Sequence, residues 1–167
     1  MKPVVKKPTP AAVAVLRQAT ALWPKRKKAS DGLLPSLAHI KQSPNSDHNT
    51  GLAADLTHDP ANGVDCKDIY ERLQSDYRVK YLIFKGKIWN QEDGERDYTG
   101  SNPHNKHLHI SIDRAYSNDT SPWFWWLNQP KVMNQVKAKL QPLPKKKLPA
   151  SVVCTCCKVH SANRKEK

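Results

Sequence analysis

Two short stretches of this chain hold residues that could do chemistry together. Ser46-Asp47-His48-Asn49-Thr50-Gly51-Leu52-Ala53-Ala54-Asp55 sets an imidazole and a carboxylate seven positions apart around a glycine. His104-Asn105-Lys106-His107-Leu108-His109 sets two imidazoles on alternate positions, with a third just upstream. Two neutral imidazoles and one carboxylate hold Zn²⁺ with net positive charge and leave a coordination position for water, the composition of a catalytic rather than a structural site. Such a water becomes a nucleophile near neutral pH, and the ion polarises a carbonyl. A neighbouring base must then take the proton, and whichever imidazole is not a ligand is the natural candidate.

Strand alternation decides whether these residues can meet. Gly51 to Thr57 alternates, with Asp55 beside Ala53 and Thr57 on one face and Leu52, Ala54 and Leu56 on the other. Leu108 to Ile112 alternates too, so His107 and His109 share a face while Leu108, Ile110 and Ile112 turn to the apolar side. A sheet that pairs the two runs brings Asp55, His107 and His109 over one surface, and His48 reaches in from the loop before Gly51. A glycine there suits a sharp bend or the close approach of another segment.

The remaining elements follow from capping and periodicity. Thr9 is an N-cap and Pro10 a first helical residue; Val13, Leu16, Ala19 and Trp23 recur at helical spacing until Pro24. Met1 to Pro8 reads as a disordered basic lead. Asp31-Gly32 marks a turn, and Leu33 to Ile40 is apolar without a clear period. Asp65 caps a helix expected to run to about Tyr77, with Ile69, Leu73 and Tyr77 on one stripe. Val79 to Phe84 reads as a strand, Lys85-Gly86-Lys87 as its turn and Ile88-Trp89 as the return. Gln91 to Pro103 reads as a polar loop near the site. A last helix is expected after Pro130, on Val132, Val136 and Leu140. The order predicts an α+β fold on a small, mostly antiparallel sheet with flanking helices.

Charge divides the chain. The 167 residues carry a formal +13, with +8 in residues 1–30, +9 in residues 131–167 and −4 between. The expected organisation is a basic lead and helix (1–30), a central domain (31–140) and a basic, disordered tail (141–167). Basic arms favour anionic polymers, but no nucleic-acid-binding signature accompanies them. The longest apolar run, Ala11 to Leu16, is far short of a membrane span or a signal-peptide core, so the chain reads as cytoplasmic when made. Cys66 stands alone, and Cys154-x-Cys156-Cys157-x-x-His160 matches no standard structural zinc spacing.

Ser46-x-His48-x-x-Gly51-x-Ala53-x-Asp55 resembles the signature of the zinc D-Ala-D-Ala carboxypeptidases and L-alanyl-D-glutamate endopeptidases at every specified position. The His107-x-His109 pair is similar to the closing motif of the wider lysostaphin, D-Ala-D-Ala peptidase and hedgehog fold group. Asp55-Leu-Thr-His-Asp-Pro60 and Tyr98-Thr-Gly-Ser-Asn-Pro-His104 resemble a phage and actinobacterial branch of it. The resemblance covers about residues 33–113. It implies His48, Asp55 and His109 as ligands of Zn²⁺, and His107, helped by His104, as the catalytic imidazole. One departure stands out: many members carry a Glu three residues before the last ligand, where this chain has Lys106. The implied function is hydrolysis of a peptide bond in the peptidoglycan stem peptide, by an endolysin-like monomer that meets the wall after release and is held there by its basic arms. A non-catalytic metal-binding module of the same fold and a nucleic-acid-associated basic protein are the rival expectations.

Other candidates are assigned to structure. His39, His58 and His160 read as surface or satisfied core residues, with His58 near enough to Asp55 to support it. Ser46 orients its loop, Tyr98 packs on the sheet, and Trp123, Trp125 and Trp126 form core rather than a glycan platform.

Overall fold

The computed structural model describes residues 4–127; the helix expected after Pro130 and the Cys154 cluster lie outside the described residues. Five strands, β1 (Ala53–Thr57), β2 (Val79–Phe84), β3 (Lys87–Asn90), β4 (Gly94–Asp97) and β5 (His107–Ile112), form one antiparallel sheet in the order β1-β5-β2-β3-β4. Three helices, α1 (Pro10–Leu22), α2 (Leu37–Gln42) and α3 (Cys66–Leu73), complete the expected α+β architecture.

One face of the sheet is the core. Ala54, Leu56, Leu108, Ile110, Leu82 and Phe84 pack there with α1, α3, Trp123 and Phe124. Thr9 caps α1 by accepting from Ala12 N–H, and Pro10 opens the helix. The stripe that meets the core differs from the expected one: Ala11, Ala12, Ala14, Val15 and Ala19 are buried and Val13 is 38% exposed. Close packing of α1 on β1 selects small side chains over the larger apolar ones. Asp65 caps α3 through Lys67 N–H, but the helix stops at Leu73 and Tyr77 is exposed. There Asp76 turns the chain by accepting from the backbone and guanidinium of Arg78, whose plane lies 3.8 Å over the Trp123 ring.

The segment expected to be an all-loop stretch contains β4. Its Glu95-Arg96-Asp97 sequence has no apolar alternation because an exposed edge strand buries neither face. The β2–β3 turn has both Lys85 and Gly86 at positive φ, the conformation of a tight hairpin.

Two tertiary ties hold β1, the other edge strand. The lead expected to be disordered is bound from Val5 onward: Val5 N–H donates to Asn49 O and Thr9 N–H to Gly51 O. Gly51, at φ +68°, meets this lead so closely that a Cβ would lie 2.8 Å from Lys7 O. On the outer edge, Gly32 and Asp55 exchange both backbone hydrogen bonds, and buried Arg26 chelates Asp31, which also accepts from Thr57 N–H and Oγ1–H. Burial would raise the Asp31 carboxyl, but Arg26 and Thr57 hold it below the ordinary 3.8. A depressed carboxyl stabilises above its unfolded pKa and loses that contribution as pH falls through the folded one. Asp31→Asn should therefore lose about 3 kcal/mol in urea denaturation at pH 7, because Arg26 stays buried without its partner, and the difference from the parent should shrink below about pH 4.

Candidate metal centre

His48 sits in a single tight turn, Asp47–Thr50, that is over-determined by its neighbours. Ser46 caps it by accepting from His48 N–H, as the expected orienting role requires. The Asn49 amide donates to Ser43 O and Pro44 O. Buried Asp47 accepts from Ser111 Oγ on β5 and Lys80 Nζ on β2, fixing the turn to the sheet face. The β1–β5 register places Asp55 opposite His109 and Thr57 opposite His107, so alternation puts all three functional groups on the face away from the core.

His48 Nε2 lies 3.1 Å from Asp55 Oδ2, and His109 Nδ1 lies 2.9 Å from Asp55 Oδ1. One ligand atom from each of His48, Asp55 and His109 falls within 4.8 Å of the others, and this set can hold a metal ion. Leu33 O, which can only accept, takes the Nδ1 hydrogen of His48 at 3.2 Å, and so turns the Nε2 lone pair toward Asp55. Unsatisfied buried nitrogens concentrate here: His109 Nε2, His104 Nδ1 and His39 Nε2 have no hydrogen-bond partner. The donor set, two imidazoles and a carboxylate beside a cavity of about 320 Å³, fits an ion that keeps a position for a small ligand.

His107 Nε2 is 3.7 Å from Asp55 Oδ1, at the rim of the ligand set. His104 packs 5.0 Å from the His107 ring and 5.6 Å from the His109 ring, with its backbone at φ +57°. That left-handed conformation in a non-glycine residue is strain concentrated at the site. Burial would raise the Asp55 carboxyl, but His109 and His48 outweigh it and hold it far below 3.8. Burial would lower His48, and the Asp55 carboxylate raises it instead. Burial lowers His107, and burial with repulsion from His109 and His107 brings His104 to about 4.

All five sequence candidates thus meet around one cavity. His39, assigned to structure from sequence, also lines it, 5.7 Å from the His48 ring. Tyr98 lines it as well, against His104. His58 does not support Asp55; its Nδ1 accepts from Cys66 N–H at the start of α3. Tyr81 stacks on His109 at 5.4 Å and is missed by alternation because β2 carries a bulge between Val79 and Tyr81. The extra residue sends Val79 to the core and Tyr81 to the site. Gly32 is the other omission: a Cβ there would lie 2.9 Å from Asp55 Oδ2, a constraint with no local signature.

Residues 5–109 match the family model described as VldE, C-terminal domain. The match covers well over half of the chain and ends on His109, the last residue of the candidate set; the chain belongs to this family. No curated protein and no solved structure matches the chain at a significant level.

Zn²⁺ at about 100 times its Kd should stabilise the protein by about 2.7 kcal/mol in thermal unfolding, and His48→Ala should gain nothing. Gly32→Ala, which displaces a ligand without removing one, should weaken Zn²⁺ binding about 10- to 100-fold by calorimetry, the range for residues that orient ligands.

Proposed function

Starting from that family membership, we propose that the chain is a zinc peptidase that hydrolyses a peptide bond in the stem peptide of peptidoglycan. The observation that carries the reading is the convergence of His48, Asp55 and His109 in one ligand set, with a further imidazole, His107, at its rim. The nitrogen-and-oxygen donor set favours zinc, and the agreement of the Ser46–Asp55 and His104–His109 motifs with the peptidase pattern supplies the substrate class.

A zinc ion held at this site would supply a water of lowered pKa and polarise a substrate carbonyl. His48, Asp55 and His109 would hold the ion, with the His48 ring oriented by Leu33 O and the His109 ring by Tyr81. His107 takes the proton of the attacking water and delivers it to the departing amine. The hydroxyl ends on the acyl carbon, and the products are a carboxylate and an amine. His104, held against His107, positions that imidazole and excludes water behind it. The +8 and +9 stretches at either end of the chain hold it electrostatically on an anionic wall polymer, which suits a lysin that reaches the wall after release. No described helix is long and apolar enough to cross a membrane.

One observation favours a second reading, a metal-holding module without turnover. Among the described residues that line the cavity, Asp55 is the only acid, so a carboxylate base is lacking and Lys106 stands where many relatives carry one.

Mass spectrometry of digested peptidoglycan separates the two. The loaded protein should release stem-peptide fragments, lose that activity to a chelator and regain it with Zn²⁺. His107→Ala should retain its metal while turnover falls about 10²- to 10⁴-fold, the usual share of a proton-transfer group. Full activity in that variant would remove His107 from the mechanism, and a loaded parent that releases nothing would leave the module reading.

A further inference from the structure

The ligand-bearing cavity is not closed at its ends. Two further cavities adjoin it, of about 430 and about 380 Å³, each within the size of a ligand cleft. The first shares His107 and Asn102 with the metal cavity and continues past the start of β5 over Asn105 and Lys106. The second shares Tyr81 and extends over the start of β2 and across β3 and β4 to Asn90 and Arg96. The shared residues make the three openings adjoin one another, with the metal cavity between the other two.

Charge across these openings is uneven. In the cavity beyond Tyr81, Lys80 is engaged by Asp47 and Arg96 by Asp93. In the cavity beyond His107, Asp31 is neutralised by Arg26, and Lys106 is exposed with no ion-pair partner among the described residues. The metal cavity itself is lined by no Lys or Arg among the described residues. A chain-terminal carboxylate held in the metal cavity would find no Lys or Arg there to receive it, the partners that bind carboxylates most strongly.

We propose that the three cavities are one groove that binds a peptide extended on both sides of the scissile bond, and that Lys106 receives a substrate carboxylate at one end of it. The proposal rests on the peptidase reading and sharpens it to an endopeptidase acting on an acidic peptide. Water adds across an internal amide, its hydroxyl to the acyl carbon and its proton to the amine, and a peptide leaves on each side. Lys106, the departure from the family pattern, then has a role in specificity rather than in proton transfer.

The test uses the full chain loaded with Zn²⁺ and synthetic peptides built around the bond cut in a wall digest. An N-acetylated, C-amidated peptide with at least two residues on each side should be cleaved, and removal of the outer residues from either side should lower kcat/KM at least tenfold. Replacing substrate carboxylates one at a time by carboxamides should reveal one position where the parent prefers the acid, and Lys106→Ala should reduce that preference about tenfold. Binding of the blocked peptide to loaded His107→Ala, read by calorimetry, should show the same dependence without turnover. Release of single terminal residues with the blocked peptide left intact would overturn the groove while leaving the peptidase reading in place. A carboxylate preference indifferent to Lys106→Ala would overturn its assignment. No hydrolysis of any peptide or wall by protein shown to carry zinc would overturn both.

Discussion

Asp55 is the residue on which the site depends, and it is held by both its backbone and its side chain. On one edge it exchanges two backbone hydrogen bonds with Gly32; on the other it is registered against His109. Its carboxylate faces His48 at 3.1 Å, His109 at 2.9 Å and His107 at 3.7 Å. A largely buried carboxylate costs several kcal/mol unless opposite charge and hydrogen bonds compensate it, and here the compensating groups are the imidazoles that define the centre. The same contacts make the register intolerant of slippage: a one-residue shift of β1 would send Asp55 into the core and bring Ala54 or Leu56 to the site.

The sheet divides labour between its faces, and the elements outside it serve that division. Small residues let α1 lie close on the core side of β1, the strand that carries Asp55. On the site side the turn bearing His48 is clamped from three directions, by the Asp47 carboxylate to β2 and β5, by Asn49 to the preceding loop, and by the docked lead at Asn49 and Gly51. The loop from Arg26 to Gly32 covers the free edge of β1, which would otherwise expose unpaired backbone groups, and delivers Leu33 O to His48. Stability and ligand geometry are thus built from the same hydrogen bonds.

This explains what could be read from the sequence and what could not. The convergence of His48, Asp55 and His109 is legible because each belongs to a local motif, a capped turn or one alternating strand, and because the two strands happen to pair directly. The shared face of His107 and His109 follows from period two alone. Gly51 is legible as a glycine needed by a bend and by a close neighbour, since both demands leave only that residue type. Tyr81 is hidden because a bulge breaks the period on which face assignment relies. Gly32, Leu33 and His39 act through contacts distant in sequence, through a backbone carbonyl in one case and a missing side chain in another, and neither leaves a pattern. β4 escapes because a polar edge strand and a polar loop have the same composition.

Lys106 unites these points. In this chain the Lys106 carbonyl accepts from His58 N–H, which ties the backbone to the segment after β1, and the side chain borders the cavity beyond His107 rather than the one holding the ligands. The space beside Asp55 is filled instead by His107, backed by a strained His104. Strand alternation aims His107 and His109 at one face, and position 106, which precedes β5, lies outside that pattern. An imidazole pair at 104 and 107 thus stands on the site face, the arrangement on which the proposed proton transfer by His107 rests, while Lys106 borders the neighbouring cavity.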